Sequence, residues 1–542
     1  MILLDRSTRP LSRKRRSIFL CVVVGMFIIV GCGPKPAAPA GTPAGVPTQP
    51  SSTLPYDVDV QKVRQLDASG DVLQAQREFD ILAWQTFIAL NWPATEQGTP
   101  DNSKTIADAT SPRVWQSWRL ASTIFLTDGD KPEDWGPNGT ARGVPTLYRI
   151  KAAWRQHGTS ADQNFQAFSG PLVDQNGKWV RYEVLVNREE FDYLYQNGLY
   201  NQEGQVAFSQ RESGNQPDFP INIGTTKHGA IEIKFAWKEL GANDDRSKFY
   251  TTQVKVKTSE KAPEEKSIDV GLVGMHIAMK TESSPEWIWA TFEHVDNAPD
   301  SDDAEAKSKR HNFYSPPDKT KVNLLPSPNA TDANGNKTWF ESLTKVPVEV
   351  ERMIVPTQGQ LNPLDDAIRR STKELNAQVQ GLLKNTNSVF QNYELIGTQW
   401  PIHPNAPAFA GGGNSVPESI THKTPGDMVP VFLVNTTMET YFQKGEQKAG
   451  ALEQDDRLAG GEDLVDATMV NGTESCVGCH YSSGICIGFK KSPDGSYTVD
   501  STGHRIAIYG ENSHFGKTGN ANFSWLLQIE AKSKPYTPTA GK

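Results

Sequence analysis

The stretch VGLVGMHIAM at residues 270–279, followed by WIWATFEHV at residues 287–295, decides the fold class of this chain. Both segments alternate frequently and contain many β-branched or aromatic side chains, which is typical of strands. The intervening residues 282–286 are mostly polar and predict a hairpin loop. The two segments therefore predict a pair of antiparallel strands in the middle of the chain.

The same strand pattern recurs in three earlier segments, at residues 179–186, 230–237 and 250–256. The first part of the chain has a different period. Apolar residues at helical spacing predict a helix within residues 56–92, and Pro93 ends it.

Two further helices are predicted towards the C-terminus. One begins after Asn362, a good N-cap, with Pro363 in its first turn. Residues 523–529 predict a short closing helix. Because neither a repeat nor a low-complexity linker divides residues 56–542, we expect one α+β body with a central antiparallel sheet and flanking helices.

The composition excludes several classes of protein. The chain has 542 residues, and its 13 Trp, 14 Tyr and 22 Phe supply bulky side chains for a core. Its net charge is −8, and without residues 1–31 it carries 49 basic against 62 acidic residues. An acidic body repels phosphate backbones, so we expect no nucleic acid among its partners.

Residues 1–31 resemble an export signal. A basic run at residues 13–16 precedes an apolar stretch at 18–30, which is short for a membrane span. The stretch ends in IVGC at residues 29–32, which resembles a bacterial lipobox. We therefore expect a lipoprotein signal peptide and a lipid on Cys32, with an uncleaved signal anchor as the alternative.

Residues 32–55 are rich in Pro, Ala, Gly, Thr and Ser, a composition typical of a flexible tether. Gly33 stands where some lipoproteins carry an Asp that retains them in the inner membrane. By that resemblance we expect an exported protein, lipid-anchored to the bacterial outer membrane and facing the periplasm or the cell surface.

Three cysteines outside the signal and the lipobox determine the predicted chemistry: Cys476, Cys479 and Cys486. The first two form Cys-Val-Gly-Cys-His with His480, the attachment pattern of c-type haem. Two thiols three positions apart project from one helical turn and can each add to a haem vinyl group. The adjacent histidine then becomes the proximal ligand of the iron. We expect one covalent haem c in a C-terminal region of helix and loops.

Three other interpretations of these residues stay open. Cys476, Cys479 and Cys486 with His480 offer three sulfurs and one nitrogen to zinc. The first two cysteines could instead form a redox dithiol or a structural disulfide. The expected location outside the cytoplasm favours haem, because haem c is attached there. Cys486 lies in an apolar stretch, which favours a buried thiol over a ligand.

Four segments carry a resemblance to a known family: residues 83–93, 287–297, 435–440 and 475–480. They are similar to segments of large single-haem bacterial proteins of the cytochrome c family, and the similarity extends over most of residues 79–529. The resemblance implies haem binding and electron transfer with a redox partner protein or a small-molecule donor or acceptor.

The sixth ligand of the iron is less well defined by the sequence. No methionine follows Met469, so a Met ligand after the haem motif is impossible. The other candidates are histidines and methionines on both sides of the motif: Met428, Met438, Met469, His276, His294, His403, His504 and His514.

His276 and His294 lie on the two strands of the predicted hairpin. If residue 276 pairs with residue 292, both side chains lie on one face of the sheet, and a shift of one residue separates them. A sheet holds a ligand more rigidly than a loop does, so His294 or His276 is the expected distal ligand. A structural role for each histidine is the alternative.

Two functions are consistent with these observations. The first is an exported c-type cytochrome that transfers electrons. The second is a haem-dependent oxidoreductase, similar to a peroxidase or an oxidase, that acts on a small molecule. The length of the chain favours an enzyme, whereas the lack of a recognisable distal catalytic set favours electron transfer. We rank electron transfer first and assign no catalytic residue.

Overall fold

The predicted strands pair with one another in the computed structural model of the protein. The structure describes residues 47–136, 146–148, 152–154, 170–211, 216–259, 262–316, 322–331, 337–354, 363–401, 428–430, 432–443, 476, 480, 483–500, 502–510 and 521–536. All of these residues belong to one unit, which begins after residue 40. In this part of the chain no helix combines the length and the hydropathy needed to cross a bilayer.

The helices with described boundaries are α1 (Val60–Ala68), α2 (Val72–Leu90), α3 (Arg188–Asn197), α4 (Gln202–Ser209), α5 (Pro363–Asn385) and α6 (Leu526–Ile529). The strands are β1 (Arg119–Leu120), β2 (Thr146–Tyr148), β3 (Ala152–Trp154), β4 (Arg181–Val186), β5 (Ile231–Glu239), β6 (Thr251–Ser259), β7 (Ala262–Met279), β8 (Ile288–His294), β9 (Ala330–Thr331), β10 (Lys337–Trp339), β11 (Tyr393–Pro401), β12 (Met428–Val429), β13 (Cys486–Phe489) and β14 (Ala507–Tyr509).

Nine of the described strands form one large sheet. Seven of them follow the order β1-β4-β5-β7-β8-β11-β12, while β6 pairs with β7 and β2 pairs with β6. Every pair in this sheet is antiparallel except β2 and β6. The predicted α+β class with a central antiparallel sheet is therefore confirmed.

The two faces of the central strands β5, β7 and β8 differ in character. In-register neighbours share a face, so Ile233, Ile277 and Ala290 point to one side, which we call the apolar face. Helices α2 and α5 pack on this face and complete the largest buried cluster. Lys234 and His276 point to the opposite side, which we call the polar face. Helices α3 and α4 and the C-terminal residues lie on that side.

The structure corrects two predicted helices. The predicted helix within residues 56–92 is two helices, because Gly70 between α1 and α2 adopts a left-handed φ of 76°. The closing helix is shorter than residues 523–529, since Phe523 also has a positive φ and α6 begins at Leu526. Asn362, residues 1–31, Cys32 and Cys479 lie outside the described residues.

Candidate functional site

Three of the four resembling segments meet on the polar face of the central strands. Strand β8 belongs to one of them, and the segment 435–440 crosses it. Asn435 Nδ2 donates to Thr291 Oγ1 at 2.8 Å. The backbone N–H of Thr436 donates to Glu293 Oε1 at 2.7 Å. The third segment ends in His480, which reaches the same face.

His480 lies beside strand β8, with its ring centroid 6.1 Å from that of Trp289. Its Nδ1–H donates to the carbonyl of Phe523 at 2.7 Å. Burial lowers the pKa of His480 to about 4, against the opposing effect of that carbonyl. At neutral pH the ring is therefore uncharged, with its proton on Nδ1. The lone pair of Nε2 has no hydrogen-bond partner among the described residues.

Cys476 lies four residues before His480, and both residues have a helical backbone. The spacing agrees with the single turn of helix that the attachment motif requires. Cys476 also packs against the buried cluster that α3, α4 and the C-terminal residues form on this side of the sheet.

His276 on β7 belongs to the surroundings of His480. Lys234, His276 and Glu439 all influence the pKa of His480, which places these side chains in one electrostatic neighbourhood. His276 Nε2 is buried and makes no hydrogen bond within the described part of the chain. It lies 3.5 Å from Glu439 Oε2. Burial raises the pKa of Glu439, but His276 lowers it further, and the net pKa is below its ordinary value.

The polar face is partly open next to these groups. Four neighbouring side chains keep part of their surface accessible: Glu232, Lys234, His276 and Ala278. The intervening residues Ile233 and Ile277, which point to the apolar face, are fully buried. The polar face is therefore less completely buried than the apolar face at these positions.

His294 lies on the other face. Strands β7 and β8 pair His276 with Thr291, one residue away from the register that would place both histidines together. His294 Nε2–H donates to the carbonyl of Lys248 at 3.0 Å, and Nδ1 accepts the N–H of Asp296 at 3.1 Å. Since both ring nitrogens are engaged, His294 has the geometry of a structural histidine, and the register with both histidines on one face is wrong.

The backbone around His480 adopts rare conformations. Trp287, Asn522 and Phe523 have φ angles of 75°, 51° and 68°. Large side chains seldom adopt such angles unless the surrounding structure enforces them, and such outliers cluster at functional sites. Trp287 Nε1 donates to the Asn522 carbonyl at 3.0 Å, and Lys280 Nζ donates to Asn522 Oδ1 at 2.7 Å. These bonds connect the segment that orients His480 to the β7–β8 hairpin.

The other candidate ligands differ in their surroundings. His504 Nδ1–H donates to the carbonyl of Ser533, the same kind of bond that His480 makes, so His504 stays a candidate. Met438 is fully buried in a separate apolar cluster. The positions outside the described residues are His403, His514, Met469 and the side chain of Met428.

Cys486 is buried, in agreement with its apolar sequence context. Its Sγ–H donates to the carbonyl of Gly488 at 3.1 Å, and burial raises its pKa to about 12. Among the described residues, no three Cys, His, Asp or Glu side chains are grouped so that they could hold a metal ion.

Sequence reasoning missed Lys234 and Glu439 as members of the site. A signal for the first was present, because Glu232 and Lys234 interrupt the apolar strand IEIKFAWKE at alternate positions. Glu439 lies in a resembling segment, but the sequence does not indicate its proximity to His276.

The donor set fits a covalently attached haem. Ligating histidines typically donate their second ring N–H to a backbone carbonyl, as His480 does. His276 supplies a second buried nitrogen without a hydrogen bond. Comparison of the chain with protein-family models, with curated proteins and with solved structures found no match. The chemistry of the site therefore has to be inferred from its own geometry.

Proposed function

We propose that this protein is an exported c-type cytochrome that binds one haem through Cys476 and Cys479 and transfers electrons. The observation that carries the proposal is the state of His480. Its ring is neutral, its Nδ1–H is held by the Phe523 carbonyl, and its Nε2 is left for a metal. A bound haem supplies a one-electron iron couple whose potential the axial ligands and burial adjust.

In this proposal the residues around His480 orient and insulate the cofactor. The Phe523 carbonyl fixes the tautomer and the direction of the imidazole. Trp289 and the buried cluster around Cys476 exclude water from that side. His276 is the proposed distal ligand, because its Nε2 is buried without a hydrogen bond and its side chain lies on the face of the sheet beside which His480 is found.

A haem-dependent oxidoreductase is the second candidate, and one observation favours it. Lys234, His276 and Glu439 gather beside His480, and these residue types can donate and accept protons. An enzyme needs one iron position open or weakly held, whereas an electron carrier gains from two protein ligands. In the enzyme, His276 and Glu439 would act on a small molecule instead of the iron.

The first experiment tests covalent haem. The protein is produced with a functional cytochrome c maturation system, extracted with acid-acetone and weighed by mass spectrometry. We expect the haem to stay with the chain and to add one haem mass. The double variant Cys476→Ser/Cys479→Ser should be colourless, while Cys486→Ser should retain the haem as the matched control. Bound zinc without haem would overturn the proposal.

The second experiment separates the two candidate functions. Optical and electron-paramagnetic spectra are recorded for the ferric and the ferrous protein, with and without carbon monoxide. Low-spin haem that does not bind carbon monoxide supports electron transfer. High-spin haem that binds carbon monoxide readily supports the oxidoreductase, because it shows an open iron position.

The location of the protein is part of the proposal. Lipidation of Cys32 would anchor it to the bacterial membrane, where its partner is a redox protein or a small-molecule donor or acceptor. The mature protein should partition into detergent and remain with membranes through a salt wash. Cys32→Ser should release it or stall its processing. A soluble mature protein without lipid would contradict the anchor and leave the haem proposal standing.

A further inference from the structure

Two carboxyl groups lie where helix α3 meets strand β5, because Asn187 Oδ1 accepts the backbone N–H of Glu190 and that of Ile231, the neighbour of Glu232, both at 3.1 Å. Glu190 is in the first turn of α3, and Glu232 is on β5. Glu190 is completely buried, and neither of its carboxyl oxygens has a hydrogen-bond partner within the described residues. An ionised carboxylate in such a place would be very costly, so the side chain must hold a proton. Burial and the adjacent Glu232 both raise the pKa of Glu190 well above its usual value.

Glu232 is the partner that can change its state. Its Oε2 accepts a hydrogen bond from Ser524 Oγ at 3.0 Å. Burial raises the pKa of Glu232 to about 7, although Ser524 and Lys234 lower it, and Glu530 adds a repulsive charge. Glu190, Lys234 and Glu530 are the charged or titratable groups that face it from α3, from its own strand and from the end of α6.

The carboxyl pair is connected to the His480 site by two routes. Ser524, which binds Glu232, directly follows Phe523, whose carbonyl orients His480. Lys234 lowers the pKa of both Glu232 and His480, so both sites respond to the same charge.

The sheet gives a third, geometric connection. Glu232 pairs with Ala278 on β7, and Ala278 pairs with Trp289 on β8, beside which the ring of His480 lies. Two strand spacings, or about 10 Å, thus separate Glu232 from the strand position next to His480. Charge interactions across this distance are weakly screened where the intervening medium is protein.

We propose that Glu190 and Glu232 form a proton-binding site that takes up one proton from solvent when the neighbouring haem site takes up one electron. This inference rests on the proposed haem function. The added electron makes the region more negative and so favours the neutral acid at Glu232. A bound haem would receive one electron from the redox partner and Glu232 would receive one proton from solvent, so the net charge of this region would stay constant. The direct consequence is a midpoint potential that falls as the pH rises.

The experiment is a redox titration of the haem-containing protein from about pH 5 to about pH 9, a range centred on neutral pH. We expect the midpoint potential of the wild type to fall near neutral pH, with a slope of up to about 59 mV per tenfold change in proton concentration. Glu232→Gln should have a potential that no longer depends on pH in this range. Glu190→Gln should leave the pH-dependent region in place, since Glu190 already holds a proton and the substitution replaces one neutral side chain with another.

Glu189→Gln is the matched control, because Glu189 is next to Glu190 in α3 but accepts its hydrogen bond from Asn187. This variant should titrate like the wild type. A redox-difference infrared spectrum gives a second measurement, in which a carboxylic-acid band should appear on reduction of the wild type and be missing in Glu232→Gln.

The outcomes separate this inference from the function on which it rests. A protein without covalent haem overturns both. A haem-containing protein whose potential is independent of pH, or whose slope persists in Glu232→Gln, overturns only the proton-binding site.

Discussion

The two faces of strands β5, β7 and β8 are formed by alternate residues of the same three strands, and they differ in character. On the apolar face, Phe87 of α2 stacks on Phe292 of β8, with ring centroids 4.3 Å apart, and both side chains are completely buried. On the polar face, Lys234, His276 and Glu232 occupy the alternate positions and remain partly accessible. The comparison indicates that one face is packed for stability and that the other carries charged and titratable side chains.

Charges on the polar face are accommodated by paired partners. Glu293 lies beside Arg352 at 3.1 Å, and Asp300 and Glu394 contact the same guanidinium at 2.9 Å and 3.2 Å. A buried charge of this kind is tolerated only while its partners are present. Stability on the polar face therefore depends on single charged residues, whereas stability on the apolar face depends on packing.

The largest effect is expected from Phe87→Ala on the apolar face. Truncation of this buried ring should lower the free energy of unfolding by about 3–5 kcal/mol, since it leaves a cavity against Phe292. Guanidinium unfolding followed by tryptophan fluorescence measures the loss. Haem content per folded molecule should not change, and a selective loss of haem would contradict the division between the two faces.

Glu293→Gln on the polar face should have the next largest effect. The change removes one of three acidic partners of the buried Arg352 and should lower the free energy of unfolding by about 3 kcal/mol. Glu305→Gln is the control, because the pair of Glu305 with Lys309 is largely exposed and should contribute nothing measurable. Equal effects of the two variants would show that the network around Arg352 is not stabilising.

The pH dependence of stability gives a third test. Burial raises the pKa of Glu232 from 4.5 to about 7, so the folded protein binds this proton more tightly than the unfolded chain does. Stability should fall as the pH rises through this range, by up to about 3 kcal/mol from this group. Glu232→Gln should remove that part of the slope in unfolding curves recorded at several pH values. An unchanged slope would show that other carboxyl groups cause the pH dependence of stability.

The sharpest comparison, which includes the smallest change in stability, comes from the two histidines. His294→Ala should cost about 2–4 kcal/mol, because it removes a fully buried ring and breaks two hydrogen bonds to the backbone, and it should leave the haem spectrum unchanged. His276→Ala should change the spin state of the haem or its binding of carbon monoxide, with little loss of stability. A low-spin spectrum that survives His276→Ala would exclude this residue as the distal ligand.

The strands could be predicted because their side-chain patterns are local. Alternation and β-branched or aromatic residues located β4 to β8 to within a few residues, except that β7 begins earlier, at Ala262. Strand β11 was missed, since YELIGTQWP shows neither alternation nor a clear apolar run. Its place beside β8 depends on pairing with a distant strand.

The register of the hairpin could not be predicted from the sequence, for a physical reason. Trp287 and Trp289 are as apolar as Ile288 and Ala290, so residues 287–290 could bury either alternate set. The observed register places Ile288, Ala290 and Phe292 against α2 and α5, and both tryptophans on the polar face. That choice also separates His294 from His276.

The sequence by itself determined the α+β class, most of the central strands and the pentapeptide from Cys476 to His480, because each depends on neighbouring residues. Only the tertiary structure decided what surrounds His480. Lys234, His276 and Glu439 come from three separate parts of the chain, and strand pairing and loop packing bring them close enough to influence its pKa. Such contacts depend on which face and which register bury the most apolar surface in the whole molecule, and no local pattern contains that information.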